Sequence, residues 1–296
     1  MASKITILIY GRTSSGKTTQ IGLLAEHVFK TEGKKTRLYT GDRGGLGSIQ
    51  PYIDLGVIEV VEMAESDPWV FLNKAVRGHV RDSNGVTWVL DPKRNAEVGM
   101  WAFESLRSFA EALMADMIRK VGQGVSIGGG ANIDFTITDG MNKLRVSGSN
   151  IAMFGVAQAR MTEEVWESQK LLGSHVVWTS SVSKDEDTTS SSKVLGPDVI
   201  GRALTAEVPR WFNLTFRIDV LPAQGGKSER HILYLGNHID VGAGNVAGLG
   251  NTRLPLDAPP PTKLTVEPAN IVEALKILDS GYDVAKEVIK KRLELK

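Results

Sequence analysis

The sequence lacks cysteine altogether among its 296 residues. A disulfide framework, a thiolate metal site and a cysteine nucleophile are therefore excluded. The five histidines show no metal-ligand spacing, so we expect no structural zinc site. The absence of cysteine also fits a reducing compartment, and we expect the protein to be cytoplasmic.

An excess of charge of one sign is also missing. The 35 Lys and Arg residues nearly balance the 34 Asp and Glu residues, which leaves a formal net charge of +1. This balance does not favour a protein that coats nucleic acid by charge alone, although it is compatible with a local basic patch. No apolar run approaches the ~20 residues that span a bilayer, and no signal-peptide pattern is visible. We therefore expect no association with a membrane.

Glycine is abundant, and two glycines frame the most informative stretch, Gly11–Thr18. It reads GRTSSGKT and matches the pattern G-x-x-x-x-G-K-[ST]. Gly11 and Gly16 allow the backbone to curl so that successive N–H groups point into one concavity. Within such a loop the Lys17 ammonium can reach the β- and γ-phosphates of a nucleotide, and the Thr18 hydroxyl can ligate Mg²⁺.

The segments on both sides of this loop are those that it requires. Residues 4–10 form a short β-branched apolar run, which is typical of a buried parallel strand. Residues 19–30 have apolar side chains at helical spacing, and a helix that begins there aims its N-terminal dipole at bound phosphate. The pattern predicts a nucleotide-binding site made of Gly11, Arg12, Thr13, Ser14, Ser15, Gly16, Lys17, Thr18 and Thr19.

Strands and helices alternate along most of the chain, which predicts an α/β fold with a mostly parallel central sheet flanked by helices. A polar loop is expected at 184–193 and a helix within 197–208. The further strands are expected at 34–42, 57–63, 86–92, 98–106, 175–181, 214–221 and 230–235, and the main helices at 107–120 and 154–172. The tryptophans lie mostly in apolar periodic segments, so we expect them in the core.

Three segments depart from this alternation. Residues 122–150 are rich in glycine, and Asp139-Gly140 is a strong turn signal between two alternating segments, which predicts an inserted β-hairpin. The hairpin could be a lid, a contact between subunits or a surface excursion. Residues 255–268 resemble a Pro-rich linker between a main domain at 1–254 and a tail at 269–296. The tail is expected to form one or two amphipathic helices broken near Gly281.

Three carboxylates end predicted strands and are candidates for the chemistry of the site. Asp42 follows the second strand, 25 residues after Lys17. Glu104 follows an apolar strand and precedes a long amphipathic helix, which is the order that a second Mg²⁺-facing carboxylate needs. Asp91 is followed by Pro92 and a charged loop, which favours a turn residue. We prefer Glu104 to Asp91 for the metal, and the alternative stays open.

This order of motifs resembles the core of the RecA-like ATPases over about residues 4–254. Asp42 stands where that family places its catalytic carboxylate. Residues 101–106, Trp-Ala-Phe-Glu-Ser-Leu, are similar to the family's apolar strand followed by Asp-Ser, with Glu in place of Asp. Residues 201–219 resemble the family's Gly-x-Ala-Leu segment, helix and outward strand. Within that family the sequence looks most like the short phage-encoded RecA-like ATPases, some of which are linked to recombination and single-strand annealing.

The resemblance implies Mg²⁺-dependent binding and hydrolysis of ATP. Lys17 would bind the phosphates, while Thr18 and, through water, Glu104 would hold Mg²⁺. Asp42 would polarise the attacking water as a general base; its alternative is a turn carboxylate. These assignments make Lys17, Asp42 and Glu104 catalytic residues, and they are joined by Arg253.

RecA-like assemblies take a phosphate-binding cation from a neighbouring subunit, so the resemblance implies a ring or filament of identical subunits. Arg253 resembles the family's basic pair at this place, with Asn in place of the first Lys; its alternative is a solvated loop arginine. Arg12 is another cation close to the phosphates. The family often ends its sensor strand with Gln, whereas this strand ends Thr179-Ser180-Ser181, so the γ-phosphate sensor is not assigned.

The partners that the resemblance implies are single-stranded DNA or a phage protein, and a phage-encoded protein would act in the host cytoplasm. Action on DNA in recombination or annealing is the first hypothesis. A motor or assembly ATPase, for example in packaging, is the second. A nucleotide kinase is less favoured because there is no arginine-rich lid. Candidate DNA contacts are Arg43, Lys143, Arg145, Lys184 and Lys193.

Overall fold

The structure of the protein is a computed structural model. It describes residues 4–41, 44–63, 68–82, 84–122, 134–139, 142–147, 151–171, 173, 175–186, 193–199, 204, 207–221, 230–235, 238–240, 246–248, 251–252 and 265–293. Asp42, Arg43 and Arg253 lie outside these residues, so the roles expected for them stay predictions.

The strands in this part of the chain are β1 (Ile5–Gly11), β2 (Lys35–Thr40), β3 (Ile58–Glu62), β4 (Val80–Arg81), β5 (Trp88–Val89), β6 (Val98–Glu104), β7 (Asp134–Asp139), β8 (Asn142–Ser147), β9 (His175–Ser180), β10 (Val182–Glu186), β11 (Lys193–Pro197), β12 (Leu214–Leu221), β13 (Arg230–Tyr234), β14 (His238–Asp240), β15 (Val246–Gly248), β16 (Asn251–Thr252) and β17 (Thr265–Val266). The helices are α1 (Lys17–Glu32), α2 (Gln50–Asp54), α3 (Pro68–Ala75), α4 (Pro92–Ala96), α5 (Leu106–Gly122), α6 (Ile151–Ser168) and α7 (Ile271–Arg292), with 3-10 turns at Leu46–Ile49 and Val208–Trp211.

Nine strands form the central sheet in the order β17-β13-β12-β1-β9-β6-β2-β3, with β16 also paired to β12. From β12 to β3 every neighbouring pair is parallel, while β13, β16 and β17 are antiparallel additions at one edge. Strand β1 is buried along its whole length between two parallel neighbours. The expected fold class, a mostly parallel sheet with flanking helices, is confirmed.

Side chains of the sheet alternate between two apolar layers, as the period of two in a strand requires. From β1, Leu8 faces a layer with Trp101 and Trp178 that is covered by α3, α5 and α6. Ile7 and Ile9 face the opposite layer, which is covered by α1 and α7. Both layers consist of buried apolar side chains, and the aromatic layer contains stacked rings such as Phe103 against Trp178, with centroids 4.5 Å apart. The sheet is therefore held rigidly from both sides, so the ends of its strands have fixed positions.

The expectation that the tryptophans belong to the core holds for five of the six. Trp101 and Trp178 are fully buried, and Trp69, Trp88 and Trp211 pack against the same layer. Trp166 differs because it lies on the outer face of α6 and is 56% exposed. Successive residues of a helix point in different directions, so Trp166 points outward although its apolar neighbours in the sequence pack inward.

The inserted hairpin is present. β7 and β8 pair antiparallel from Asp134 opposite Ser147 to Asp139 opposite Asn142, in agreement with the hairpin that the sequence predicted. The polar loop expected at 184–193 is wrong in part, because its ends lie in β10 and β11, which pair with each other and lead into β15 and β14. Backbone hydrogen bonds between β10 and β11 form in spite of the polar side chains, because polar composition is a weak predictor of whether a segment joins a sheet.

The helix expected within 197–208 lies mostly outside the described residues, although Pro197 itself ends β11. Residues 86–92 were expected to form one strand, but the strand covers only Trp88–Val89, and a short helix follows it. Asp91 caps this helix: its carboxylate accepts hydrogen bonds from the backbone N–H groups of Lys93 and Arg94, at 2.9 and 3.1 Å. This is the turn role that competed with metal binding for Asp91.

The C-terminal tail is one continuous helix, so the expected break near Gly281 is wrong. Asn270 caps its first turn by accepting from the N–H groups of Val272 and Glu273. Gly281 is buried within the helix. A helical glycine costs only about 1 kcal/mol relative to alanine, and the packing of the α7 face against the core outweighs that cost. The face comprises Ile271, Ala274, Leu275 and Leu278.

Part of the predicted linker also belongs to the sheet. Thr265–Val266 forms β17, and Val266 pairs with Leu233 of β13. The division of the chain into domain, linker and tail stays a prediction, but residues 265–278 lie directly against the core.

Candidate nucleotide-binding site

The phosphate loop joins the carboxyl end of β1 to the start of α1, as expected. Two of its residues have left-handed backbone: Ser14 with φ 62° and Gly16 with φ 94°. Gly16 immediately precedes α1, and the N–H of Ser15 donates to the Arg12 carbonyl at 3.2 Å. Left-handed residues among right-handed ones curl the backbone into a concavity of N–H groups, which is the shape that binds phosphate.

Position 11 requires glycine because there is no room for a side chain. A Cβ atom at this position would lie 2.4 Å from the Ile218 carbonyl oxygen of the neighbouring strand and 2.7 Å from Ser15 Oγ. The first of these is backbone of a buried central strand and cannot move aside. The loop therefore starts against β12, and its curvature is set at this close contact.

We expect Gly11→Ala to lower the free energy of unfolding by at least about 1–3 kcal/mol, because the added methyl group would strain both β1 and β12. The measurement is urea unfolding followed by circular dichroism, together with nucleotide binding. Gly155→Ala on α6 is the matched control, since a Cβ there meets nothing within 4 Å. That change should be neutral or stabilise the helix by up to about 1 kcal/mol. Wild-type stability and binding in the Gly11 variant would contradict this account of the loop.

The ammonium group of Lys17 lies over its own loop. Its Nζ donates to the carbonyl oxygens of Gly11 at 3.0 Å and of Arg12 at 2.8 Å. The charge is thus fixed at the mouth of the concavity, where the phosphates of a nucleotide would come within its reach.

Thr18 and Glu104 are brought together by the sheet. Thr18 Oγ1 donates to Glu104 Oε1, although the two residues are 86 positions apart in the sequence. Glu104 ends β6 and is only 4% exposed. Because β9 alone separates β6 from β1, the carboxyl ends of these strands meet at one edge of the sheet. Asp91 lies elsewhere, at the cap of α4, and has no part in this arrangement.

A cavity of about 590 Å³ opens above these groups. Its lining includes Thr13, Ser14, Gly16, Lys17, Thr18, Thr19 and Glu104 of the residues predicted from sequence. Arg12 is exposed and does not line it. Sequence reasoning had not assigned the other lining residues, Gly44, Gly45, Ser48, Ser105, Arg107, Ser108, Thr179 and Ser181. The hydroxyls at the end of β9 were recognised as a feature of the strand, whereas nothing in the sequence singled out Arg107.

Arg107 is tied to the end of β9 through Asp198. Its Nη1 donates to Asp198 Oδ1 at 3.0 Å and its Nε to Glu111 Oε1 at 2.6 Å. Burial lowers the pKa of the Arg107 guanidinium, but these two carboxylates outweigh it and raise that pKa above its ordinary value. Ser181 Oγ donates to Asp198 Oδ2 at 3.3 Å. The cavity therefore contains an arginine that stays charged and is linked to the strand beside β1.

Thr179 adds a polar group that the protein leaves available. Its side chain is fully buried at the cavity, and within the described residues its hydroxyl has no hydrogen-bond partner. A buried polar group without a partner is costly unless a ligand or water satisfies it. Such a hydroxyl suits an oxygen-rich ligand such as a polyphosphate.

His231 of β13 and the start of the C-terminal segment hold the phosphate loop and α1 in place. His231 Nδ1 lies 3.0 Å from the Ser15 carbonyl oxygen, and the His231 carbonyl accepts from the N–H of Ala269 at 2.8 Å. Gln20 of α1 binds the same segment with both ends of its amide: Nε2 donates to Ala269 O at 3.0 Å, and Oε1 accepts from Ile271 N at 2.7 Å. Gln20 and His231 were not identified from sequence, since their contacts cross more than 200 positions.

The residues at the edge of the sheet where β1 and β6 end fit Mg²⁺ and a nucleoside triphosphate. A hydroxyl and a carboxylate are the oxygen ligands that Mg²⁺ prefers, and Mg²⁺ usually keeps several waters and takes phosphate oxygens rather than an all-protein cage. The described residues contain no group of three or more His, Cys, Asp or Glu that could hold a metal by itself. The curled loop with its tight Gly11 fits the phosphates.

The expected DNA contacts that the structure describes fall in two separate small sheets, one with β7 and β8 and one in which β10 pairs with β11. Lys143 and Arg145 belong to β8, Lys184 to β10 and Lys193 to β11, while Arg43 is outside the described residues. Among the residues that the structure describes, no helix has the length and apolarity needed to cross a bilayer.

Comparison with known proteins found similarity to solved structures. No protein-family model and no curated protein matches the sequence. The RadB recombinase structure is 15% identical, with a TM-score of 0.40, and the match covers 78% of this chain and 80% of that one. The flagellar accessory protein FlaH from Methanocaldococcus jannaschii is 9% identical (TM-score 0.39; 78% and 77% covered). The KaiC-like protein PH0186 from Pyrococcus horikoshii OT3 is 12% identical (TM-score 0.36; 78% and 77% covered).

At such identities a likeness concerns the fold alone, and the fold assignment rests on the strand order and the phosphate loop described above. By these features the chain has an α/β core with a mostly parallel sheet and a phosphate loop, together with an inserted β-hairpin and a C-terminal helix.

Proposed function

We propose that the protein is a Mg²⁺-dependent ATPase. The observation that carries this proposal is the contact between Thr18 and Glu104 beside Lys17, at the edge where β1 and β6 end. It combines a phosphate-binding cation, a metal-binding hydroxyl and a buried carboxylate in one cavity. These are the parts that positioning and charge neutralisation of a transferred phosphoryl group require.

Each residue has a separate task in this proposal. The loop N–H groups and Lys17 hold the phosphates in one orientation. Thr18 and Glu104 would hold Mg²⁺, which neutralises charge on the phosphate oxygens when it is bound. Asp42 would polarise the attacking water; the chain enters its segment from Thr40, which pairs with Glu104 in the sheet.

For the working partner we propose single-stranded DNA, with the protein acting as an oligomer in phage-type recombination or annealing. This part rests on the sequence resemblance. A motor or assembly ATPase with a protein partner is the alternative that the balanced charge of the chain favours. Arg253 is proposed as the cation given to a neighbouring subunit.

The test is ATP hydrolysis by the purified protein in Mg²⁺ at low salt, with and without single-stranded DNA. Hydrolysis that requires Mg²⁺ and is strongly stimulated by DNA supports the whole proposal. Hydrolysis that is indifferent to DNA supports the ATPase and moves the partner to a protein. Transfer of the phosphate to a nucleotide instead of to water would overturn the proposal in favour of a kinase.

Glu104→Gln separates binding from turnover. We expect kcat to fall by about 10²–10³-fold, because the amide keeps the shape but loses the charge that would face Mg²⁺. Nucleotide should still bind through the loop. Glu97→Gln is the matched control, since Glu97 lies just before the opposite end of β6 and its side chain is 65% exposed. Equal kcat values for the two variants would remove Glu104 from the proposed machinery.

A further inference from the structure

We propose that Arg107 is a catalytic residue that supplies, from the same subunit, the cation that binds the transferred phosphate. This inference rests on the proposed ATPase function and goes beyond it, because the resemblance assigns that cation to a neighbouring subunit. The cavity itself points to Arg107: among the lining residues that the structure describes, Lys17 and Arg107 are the ones with positive charge.

Position is the first argument. Arg107 lies three residues after Glu104, in the first turn of α5, which begins at Leu106. Leu106 and Phe109 on the other side of this turn are buried in the aromatic layer. The guanidinium is therefore mounted on a rigid junction that starts from the proposed metal-facing carboxylate. Groups fixed in this way lose little freedom when they engage a substrate.

Availability is the second argument. The Arg107 side chain is 38% exposed. Arg37 and Arg217, by contrast, are 1% and 2% exposed and form ion pairs inside the fold. A guanidinium has five N–H donors, and the contacts with Glu111 and Asp198 use Nε and one donor of Nη1. The remaining donors have the fork geometry that binds two phosphate oxygens at once.

Charge is the third argument. In the protein alone Arg107 faces two carboxylates, Glu111 and Asp198, and Mg²⁺ with a triphosphate would place further net negative charge next to it. Asp198 is itself fixed, because its carbonyl accepts from Ser180 Oγ at 2.7 Å and its carboxylate from Ser181 Oγ. The guanidinium can then bridge Asp198 and the γ-phosphate without leaving its support. The end of β9 would sense the phosphate through this contact.

In the proposed chemical step Arg107 acts only through its positive charge. The oxygen of the attacking water forms a bond to the γ-phosphorus while the bond from that phosphorus to the β–γ bridging oxygen breaks. The proton of the water leaves to the general base, and negative charge grows on the departing oxygen. Arg107 neither gains nor loses a proton; it stabilises the charge on the phosphoryl oxygens as the bond breaks.

The test compares Arg107→Ala and Arg107→Lys with Arg160→Ala. Arg160 is the matched control because it is 54% exposed, lies on α6 and also pairs with a glutamate, Glu163. For Arg107→Ala we expect kcat to fall at least about 100-fold, with little change in the affinity for ADP. Binding of ADP with aluminium fluoride, which mimics the phosphoryl group in flight, should weaken selectively. Lysine should restore part of kcat, since it returns the charge without the fork.

A structural role for Arg107 predicts another pattern. If it only anchors Asp198, Arg107→Ala and Asp198→Asn should both lower the melting temperature and weaken ADP and ADP–aluminium fluoride binding equally, and that result would overturn the inference. Wild-type turnover in Arg107→Ala would also overturn it. If the wild-type protein hydrolyses no ATP in Mg²⁺, the proposed function itself fails, and the wild-type measurement identifies that case.

Discussion

Lys17→Ala should abolish ATP turnover and leave the fold intact. Turnover should fall by at least about 10³-fold, because phosphoryl transfer depends on charges placed next to the phosphates, and alanine removes the one that the loop itself supplies. The ammonium contacts loop carbonyls at a half-buried position and belongs to neither apolar layer. We therefore expect the free energy of unfolding to change by less than about 1 kcal/mol.

The measurements for this variant are ATP hydrolysis, nucleotide binding and a thermal melt. Lys30→Ala on the same helix is the matched control, since its side chain is 71% exposed and pairs only locally with Glu26 in the last turns of α1. That control should behave as the wild-type protein in all three measurements. Undiminished hydrolysis by Lys17→Ala would show that the phosphate loop does not work as proposed.

Features that depend on short stretches of sequence were predicted well. The strand before the phosphate loop and the helix after it follow from residues 4–30 alone, and both are confirmed. The inserted hairpin followed from one turn signal between alternating segments. Such features need only local periodicity and glycine conformation, so a single sequence contains the information.

Features that depend on the order of strands in the sheet were predicted only in part. Nothing in the sequence places β9 between β1 and β6, and this placement brings Thr18 to Glu104 across 86 positions. The contact between Arg107 and Asp198 spans 91 positions, so Arg107 looked like an ordinary helix residue. Polar residues of β10 looked like a loop because side-chain composition does not show which backbone groups find a partner.

The arrangement around Gln20 shows how the chain ends reinforce the site. The residue lies one turn into α1, is 3% exposed, and its amide satisfies backbone groups of 269 and 271. A buried amide with both ends paired fixes one register between two segments. Since His231 binds the loop at Ser15 and the C-terminal segment at Ala269, the start of α7 and the phosphate loop are held as one unit.

Leu278→Ala should therefore destabilise the whole core rather than a separate tail. Leu278 is fully buried on the α7 face that packs against α1. Removing a buried leucine side chain costs about 2–5 kcal/mol, depending on how far the cavity collapses. Urea unfolding, followed by tryptophan fluorescence, should show one transition displaced to lower urea.

Leu293→Ala is the control for this prediction, because the side chain lies at the end of the same helix and is 59% exposed. It should change the free energy of unfolding by no more than about 0.5 kcal/mol. The tryptophans Trp101 and Trp178 lie in the opposite layer of the sheet, so their signal reports on the core and not on α7 itself. If the Leu278 variant lost helix signal first while the tryptophan transition stayed at its wild-type position, α7 would be an appendage that unfolds independently. A single displaced transition would mean that the C-terminal helix belongs to the same cooperative unit as the phosphate loop.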